Sequence, residues 1–135
     1  MRIVFRGTVQ GVGFRPAVYR TAAALGLRGT VRNDGSCVTV DVDDGRAFLK
    51  AFLGHLPPLA VVTSVTEEDY DLPAEIEGFS ILGSSGGLGG GASIPTDTAI
   101  CQNCLRDLRA GRRKGYPFTS CTDCGPRFTL LHSLP

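Results

Sequence analysis

Val9-Gln10-Gly11-Val12-Gly13-Phe14-Arg15-Pro16 leads out of one apolar run and into another through two glycines and an arginine. Upstream, Arg2 to Val9 alternates, with Ile3, Phe5 and Val9 on one face and Arg2, Arg6 and Thr8 on the other, the two-residue period of a half-buried strand. Gly11 and Gly13 permit positive φ and carry no Cβ, so successive N–H groups can converge on one anion. Pro16 suits the first helical position, and Phe14, Val18, Ala22 and Leu25 then recur at helical spacing. A helix start beside the loop adds unpaired N–H groups and the positive end of a dipole. Arg15 can add a planar fork matched to two phosphate oxygens. Taken alone, the stretch is either a phosphate cradle or a glycine turn with an exposed arginine. A dinucleotide fingerprint needs a third glycine where Pro16 stands, and a Walker loop needs Gly-Lys-Ser/Thr, which is absent.

Beyond the loop and its helix, Gly26 sits where a C-terminal cap belongs. Arg28 to Asn33 reads as a second strand leading into Asp34-Gly35, a hairpin turn. Val38, Val40 and Val42 alternate with Cys37, Thr39 and Asp41, giving a third strand antiparallel to the second. Asp43 or Asp44 can cap a second helix, in which Phe48, Ala51, Phe52 and Leu56 form one apolar stripe with Leu49 and Leu53 beside it. Pro57-Pro58 stops it; Val61 to Val65 reads as a fourth strand and Phe79 to Leu82 as a short last one. The expected fold class is α+β, a ferredoxin-like βαββαβ domain with an antiparallel sheet covered on one face by two helices.

Asn33 closes the second strand. Its amide can both donate to and accept from a single water, as a hydrolase requires, although turn chemistry alone also explains an asparagine there. Val9 to Arg15 followed by Asn33 resembles the acylphosphatase signature, over about the first 82 residues. That resemblance implies that Arg15 and the amides of Gln10, Gly11, Val12, Gly13 and Phe14 hold a phosphate. It implies further that Asn33 orients the attacking water, and that this step requires neither a metal nor a covalent intermediate.

Composition points to a soluble, cytoplasmic protein. The chain has 135 residues and net charge +1. No apolar run approaches the roughly 20 residues that span a bilayer, and the chain starts directly on a strand bearing Arg2 and Arg6, so neither a membrane partner nor a signal peptide is expected. His55, in the last turn of the second helix, and His132, past the cysteines, carry no catalytic pattern, and Glu67-Glu68-Asp69 reads as a solvated acidic edge.

Residues 83–93 form a Gly/Ser-rich stretch with almost nothing to bury, which reads as a linker between a domain at 1–82 and a segment at 94–135. Four of the five cysteines lie in that segment as Cys101-Gln102-Asn103-Cys104 and Cys121-Thr122-Asp123-Cys124. Two such pairs close a tetrahedral four-thiolate site, structural because no position stays open, and binding would supply folding free energy to a segment too small for its own core. Zinc is the expected ion; iron accepts the same four thiolates. Disulfides are disfavoured without a secretion signal, and Cys37 reads as an ordinary strand or turn residue. Arg106, Arg109, Arg112, Arg113 and Lys114 lie between the pairs. They read as a solvated or docking face, and with Tyr116 and Phe118 too few for a stacking platform nucleic acid is not the expected partner.

Pro95-Thr96-Asp97, Tyr116-Pro117-Phe118 and Gly125-Pro126-Arg127-Phe128-Thr129 flank those cysteines. With the upstream signature they make the chain resemble the amino-terminal part of the HypF family, carbamoyltransferases of nickel–iron hydrogenase maturation. The resemblance implies carbamoyl phosphate as substrate of the first domain, structural zinc in the second, and a HypE-type protein as the acceptor of the carbamoyl group from later domains. That family carries a second pair of cysteine knuckles and ATP-using and transferase domains, so the chain reads as a fragment holding the first step. Two other functions fit the same residues: a general acylphosphatase with an attached zinc module, and a non-catalytic module that binds phosphate and a partner.

Overall fold

The computed structural model describes residues 1–83, 100–110 and 114–115. In residues 1–83 the elements are β1 (Arg2–Thr8), α1 (Phe14–Ala24), β2 (Gly29–Asp34), β3 (Cys37–Val42), α2 (Gly45–Phe52) with a 3-10 turn at Leu53–His55, β4 (Val61–Glu68) and β5 (Phe79–Ile81). The strands lie in the order β4-β1-β3-β2-β5. The first four alternate in direction, as the ferredoxin-like pattern requires, but β5 runs parallel to β2, pairing Gly29 with Phe79 and Val31 with Ile81. The sheet is therefore mixed where the sequence led to an antiparallel one.

Register explains the core. Ile3 pairs with Val40 and Phe5 with Val38 across β1 and β3, and Val40 pairs with Val31 on the other side. Strand side chains alternate faces, so these residues share the side that α1 and α2 cover. Four phenylalanines interlock there. Phe5, Phe14 and Phe52 meet edge to face with centroids 5.1–5.6 Å apart, and Phe48 stacks on Phe52 at 5.2 Å. Such pairs add about 0.5–1.5 kcal/mol beyond the area they bury.

Local chemistry fixes both helix ends. Asp44 caps α2 by accepting the Ala47 N–H at 3.0 Å, while Asp43 accepts from Arg28 and from the Asp44 amide. At the end of α1, Gly26 takes φ 67°; its N–H bonds the Ala23 carbonyl and the Leu27 N–H bonds the Ala22 carbonyl, the paired bonds of a Schellman cap. That cap turns Leu27 inward and leaves Leu25 exposed, against the expectation that Leu25 continues the apolar stripe. Leu53 is likewise exposed, past the end of α2.

The opposite face of the sheet carries charge. Asp41, almost fully buried on β3, accepts from Arg2 Nε at 2.6 Å and from Arg32 Nη1 at 3.0 Å, and Arg32 also bonds Asp34 at 2.9 Å. The bond from Arg2 to Asp41 holds the guanidinium above the ordinary arginine range, against the opposing effect of burial. The Arg2 guanidinium also lies 4.1 Å over the Tyr70 ring. In the second described stretch α3 spans Gln102–Ala110. The linker expected at 83–93 falls, after residue 83, outside the described residues. Among the described residues no helix is long and apolar enough to cross a membrane.

Candidate phosphate site

The strand-to-helix loop is pinned by its own apolar side chains. Val9, Val12 and Phe14 are each buried in the core, so the intervening backbone is drawn across the end of the sheet. The turn starts with a Val9 N–H bond to the Gly7 carbonyl at 3.0 Å. Gly11 has φ 70° and Gly13 φ 75°, while among the described residues none other than glycine has positive φ, so the sign of φ alternates from Gln10 to Phe14. This alternation is the backbone pattern of an anion nest. Gly13 is also the N-cap of α1, which carries no acidic residue in its first turn to offset the dipole. Pro16 therefore falls third in the helix and not first, two residues later than its spacing predicts. A missing N–H costs nothing at either place, because the first turn of a helix has no intrahelical acceptors.

Arg15 follows directly, in the first turn and half-buried. Burial pushes its guanidinium below the ordinary arginine range. A cation partly removed from water interacts more strongly with an anion brought beside it, because the local dielectric is lower.

Pairing brings Asn33 to the same end of the sheet. Arg6 at the end of β1 pairs with Cys37, Asp34 pairs with that same Cys37, and Asn33 pairs with Val38. The end of β1, the end of β2 and the start of β3 thus coincide. Asn33 is buried, on the same face of β2 as Val31 and hence on the helix-covered side. Helix α1 runs back antiparallel to β2, which puts its first turn, with Arg15, at the Asn33 end.

One link was not visible in the sequence, which singled out only the backbone amide of Gln10. The Gln10 side chain is buried, and its Nε2 donates to the carbonyls of Gly35 and Cys37, the latter at 3.4 Å. The loop is therefore tied to the hairpin turn that follows Asn33. Cys37 is the first residue of β3, its thiol donating to the Asp34 carbonyl at 3.2 Å.

Of the four expected metal ligands, Cys101 and Cys104 come together at the start of α3, where the Cys104 N–H points to the Cys101 sulfur at 3.5 Å and Cys104 is buried. Two soft donors on one turn, backed by an N–H bond to sulfur, fit zinc. Cys121 and Cys124 lie outside the described residues, and among the described residues no group of three metal-binding side chains forms.

The chain belongs to the acylphosphatase family, whose model matches residues 1–81. A second model, the HypF finger, matches residues 100–131, so an acylphosphatase domain is followed by a zinc-finger segment of HypF type. An acylphosphatase of Caldivirga maquilingensis is 43% identical over 86 residues, covering 60% of this chain and 90% of that protein. The carbamoyltransferase HypF of Rhodobacter capsulatus is 48% identical over 139 residues, covering 99% of this chain and 18% of its own length. A crystal structure of full-length HypF in its phosphate- and nucleotide-bound form superposes with a TM-score of 0.79 at 33% identity, over 99% of this chain and 18% of that one. The chain thus spans about 18% of the length of the HypF relatives it matches.

Proposed function

We propose that this chain hydrolyses an acyl phosphate, with carbamoyl phosphate as its substrate, and supplies the acylphosphatase step of a HypF-type carbamoyltransferase. The observation that supports the reading is the alternating φ from Gln10 to Phe14, directly followed by Arg15, at the end of the sheet where Asn33 stands. The similarity to HypF over nearly the whole chain favours the carbamoyl over a simpler acyl group.

Catalysis needs little covalent chemistry from the protein, since the acyl carboxylate is already a good leaving group. The amides of Gln10, Gly11, Val12, Gly13 and Phe14, with the Arg15 fork, bind the phosphoryl oxygens and stabilise the charge that shifts among them in the transition state. Asn33 holds a water by accepting one of its hydrogens and donating to its oxygen. The water oxygen attacks phosphorus, the bond from phosphorus to the acyl oxygen breaks, and carbamate leaves with the electron pair. A phosphoryl oxygen takes the proton from the water, so no protein base is required. The carbamate is then available for activation and for transfer to a HypE-type partner by domains outside this chain.

Cys101, Cys104, Cys121 and Cys124 would hold one zinc, which supplies folding free energy to the finger and takes no part in hydrolysis. Phosphate release from carbamoyl phosphate and from benzoyl phosphate, compared with Arg15→Ala and Asn33→Ala, tests the reading. Hydrolysis by the parent that both substitutions slow by about 10²-fold or more in a folded protein supports it. No hydrolysis of either substrate, with phosphate still bound, leaves a binding module instead.

A further inference from the structure

We infer that the side chain of Gln10 is a positioning residue that holds the phosphate loop in register with Asn33. This rests on the proposed hydrolytic site and adds to it the part that sets its internal spacing. Gln10 Nε2 reaches the carbonyls of Gly35 and Cys37, which flank Ser36 at the tip of the β2–β3 turn. Both partners are acceptors, so only the amide nitrogen can face them, which fixes the orientation of the carboxamide. Both of its hydrogens are then used.

Val9, Val12 and Phe14 also anchor the loop by packing, and the Val9 N–H bonds the Gly7 carbonyl within the strand end itself. Packing is non-directional, whereas the two hydrogen bonds set a distance and a direction between the loop and the β2–β3 turn. That turn is the continuation of β2: Asn33 pairs with Val38 and Asp34 with Cys37, immediately before the carbonyls that Gln10 holds. In-line attack depends on the distance from the nest, which carries phosphorus, to Asn33, which carries the water. A misplacement of about 1 Å can cost about 10²-fold in rate.

Gln10→Met keeps the length and removes both donors. The inference expects kcat for acyl phosphate hydrolysis to fall about 10- to 100-fold. Inhibition by inorganic phosphate should weaken by less than about threefold, below the loss of one direct hydrogen bond, because the amides and Arg15 remain. An unchanged kcat overturns the inference, as does a parallel loss of kcat and phosphate affinity, which would mean that the loop itself has collapsed. Amide hydrogen exchange supplies a reading independent of activity. In the parent protein inorganic phosphate should slow exchange across residues 33–37, and in Gln10→Met it should not. If phosphate gives the parent no such protection the inference fails, whatever the activity. If protection is present and coupled through Gln10 while the parent hydrolyses nothing, the inference stands and the hydrolytic reading falls. If Gln10→Met does not fold, the same two measurements on Gln10→Glu decide. Its carboxylate repels the two carbonyls, and protonation restores one donor, so lowering the pH should recover part of kcat and part of the protection; no recovery of either refutes the coupling.

Discussion

Arg2 and Asp41 face each other across the β1–β3 pair with Nε and Oδ1 only 2.6 Å apart, and Asp41 is the more deeply buried of the two. Its other oxygen accepts from Arg32 at 3.0 Å, so one carboxylate joins three strands. Asp41→Ala removes the shared acceptor and leaves two arginines facing each other. Breaking a fully buried pair costs about 3–5 kcal/mol, but both arginines keep about a quarter of their side-chain surface in water, so a loss of about 1–3 kcal/mol is expected. Urea unfolding measures it as a lower midpoint at constant slope.

Gly13→Ala tests the nest. With φ 75° and ψ 17° the residue sits in the left-handed region, where a Cβ costs roughly 1–2 kcal/mol. Relaxing that strain turns the Phe14 amide away from its neighbours. The substitution should both lower stability by that amount and weaken inhibition by inorganic phosphate, read by calorimetry and by competitive kinetics.

Arg15→Lys separates charge from shape. An ammonium keeps the positive charge but cannot grip two oxygens in one plane, and it holds its own hydration more tightly. Its kcat/KM should fall between those of the parent and Arg15→Ala, for which a loss of about 10²–10³ is expected from removal of a transition-state donor. A lysine variant as slow as the alanine variant would show that the fork carries the whole effect.

Phe52→Ala opens a hole among Phe5, Phe14 and Phe48. About 3–5 kcal/mol should be lost. Because Phe14 immediately precedes Arg15, kcat should fall as well, and a thermal scan of activity and of circular dichroism on the same sample checks both.

The finger is tested by metal content. The parent chain should bind about one zinc per chain through four thiolates, and Cys104→Ser should lose it. Element analysis after dialysis reads this directly; zinc content unaffected by the substitution would remove Cys104 from the ligand set.

Much of this fold was readable because its signals are local. The alternation in Arg2 to Val9, the Asp34-Gly35 turn and the Asp44 cap each depend on residues a few positions apart, and each takes the form its chemistry dictates. What escaped was non-local. Nothing in Phe79–Ile81 says which strand it joins or in which direction, since three residues carry no pairing preference of their own. The polar character of Gln10 was plain, but its acceptors lie 25 and 27 residues away and exist only once the hairpin has closed. Arg2 and Asp41, 39 residues apart, were opaque for the same reason. Leu25 was misplaced because the cap at Gly26 bends the chain just where the helical period would have continued.

The parallel run of β5 has a consequence for whatever is joined to it. Ile81 pairs with Val31, two residues before Asn33, and the Leu82 N–H still bonds the Val31 carbonyl at 2.8 Å. An antiparallel last strand on β2 would carry the chain away from the phosphate loop; this one delivers it to the same rim. The chain therefore leaves the sheet, over the last described residues of this domain, on the side that carries the loop and Asn33 and not on the side where β1 begins.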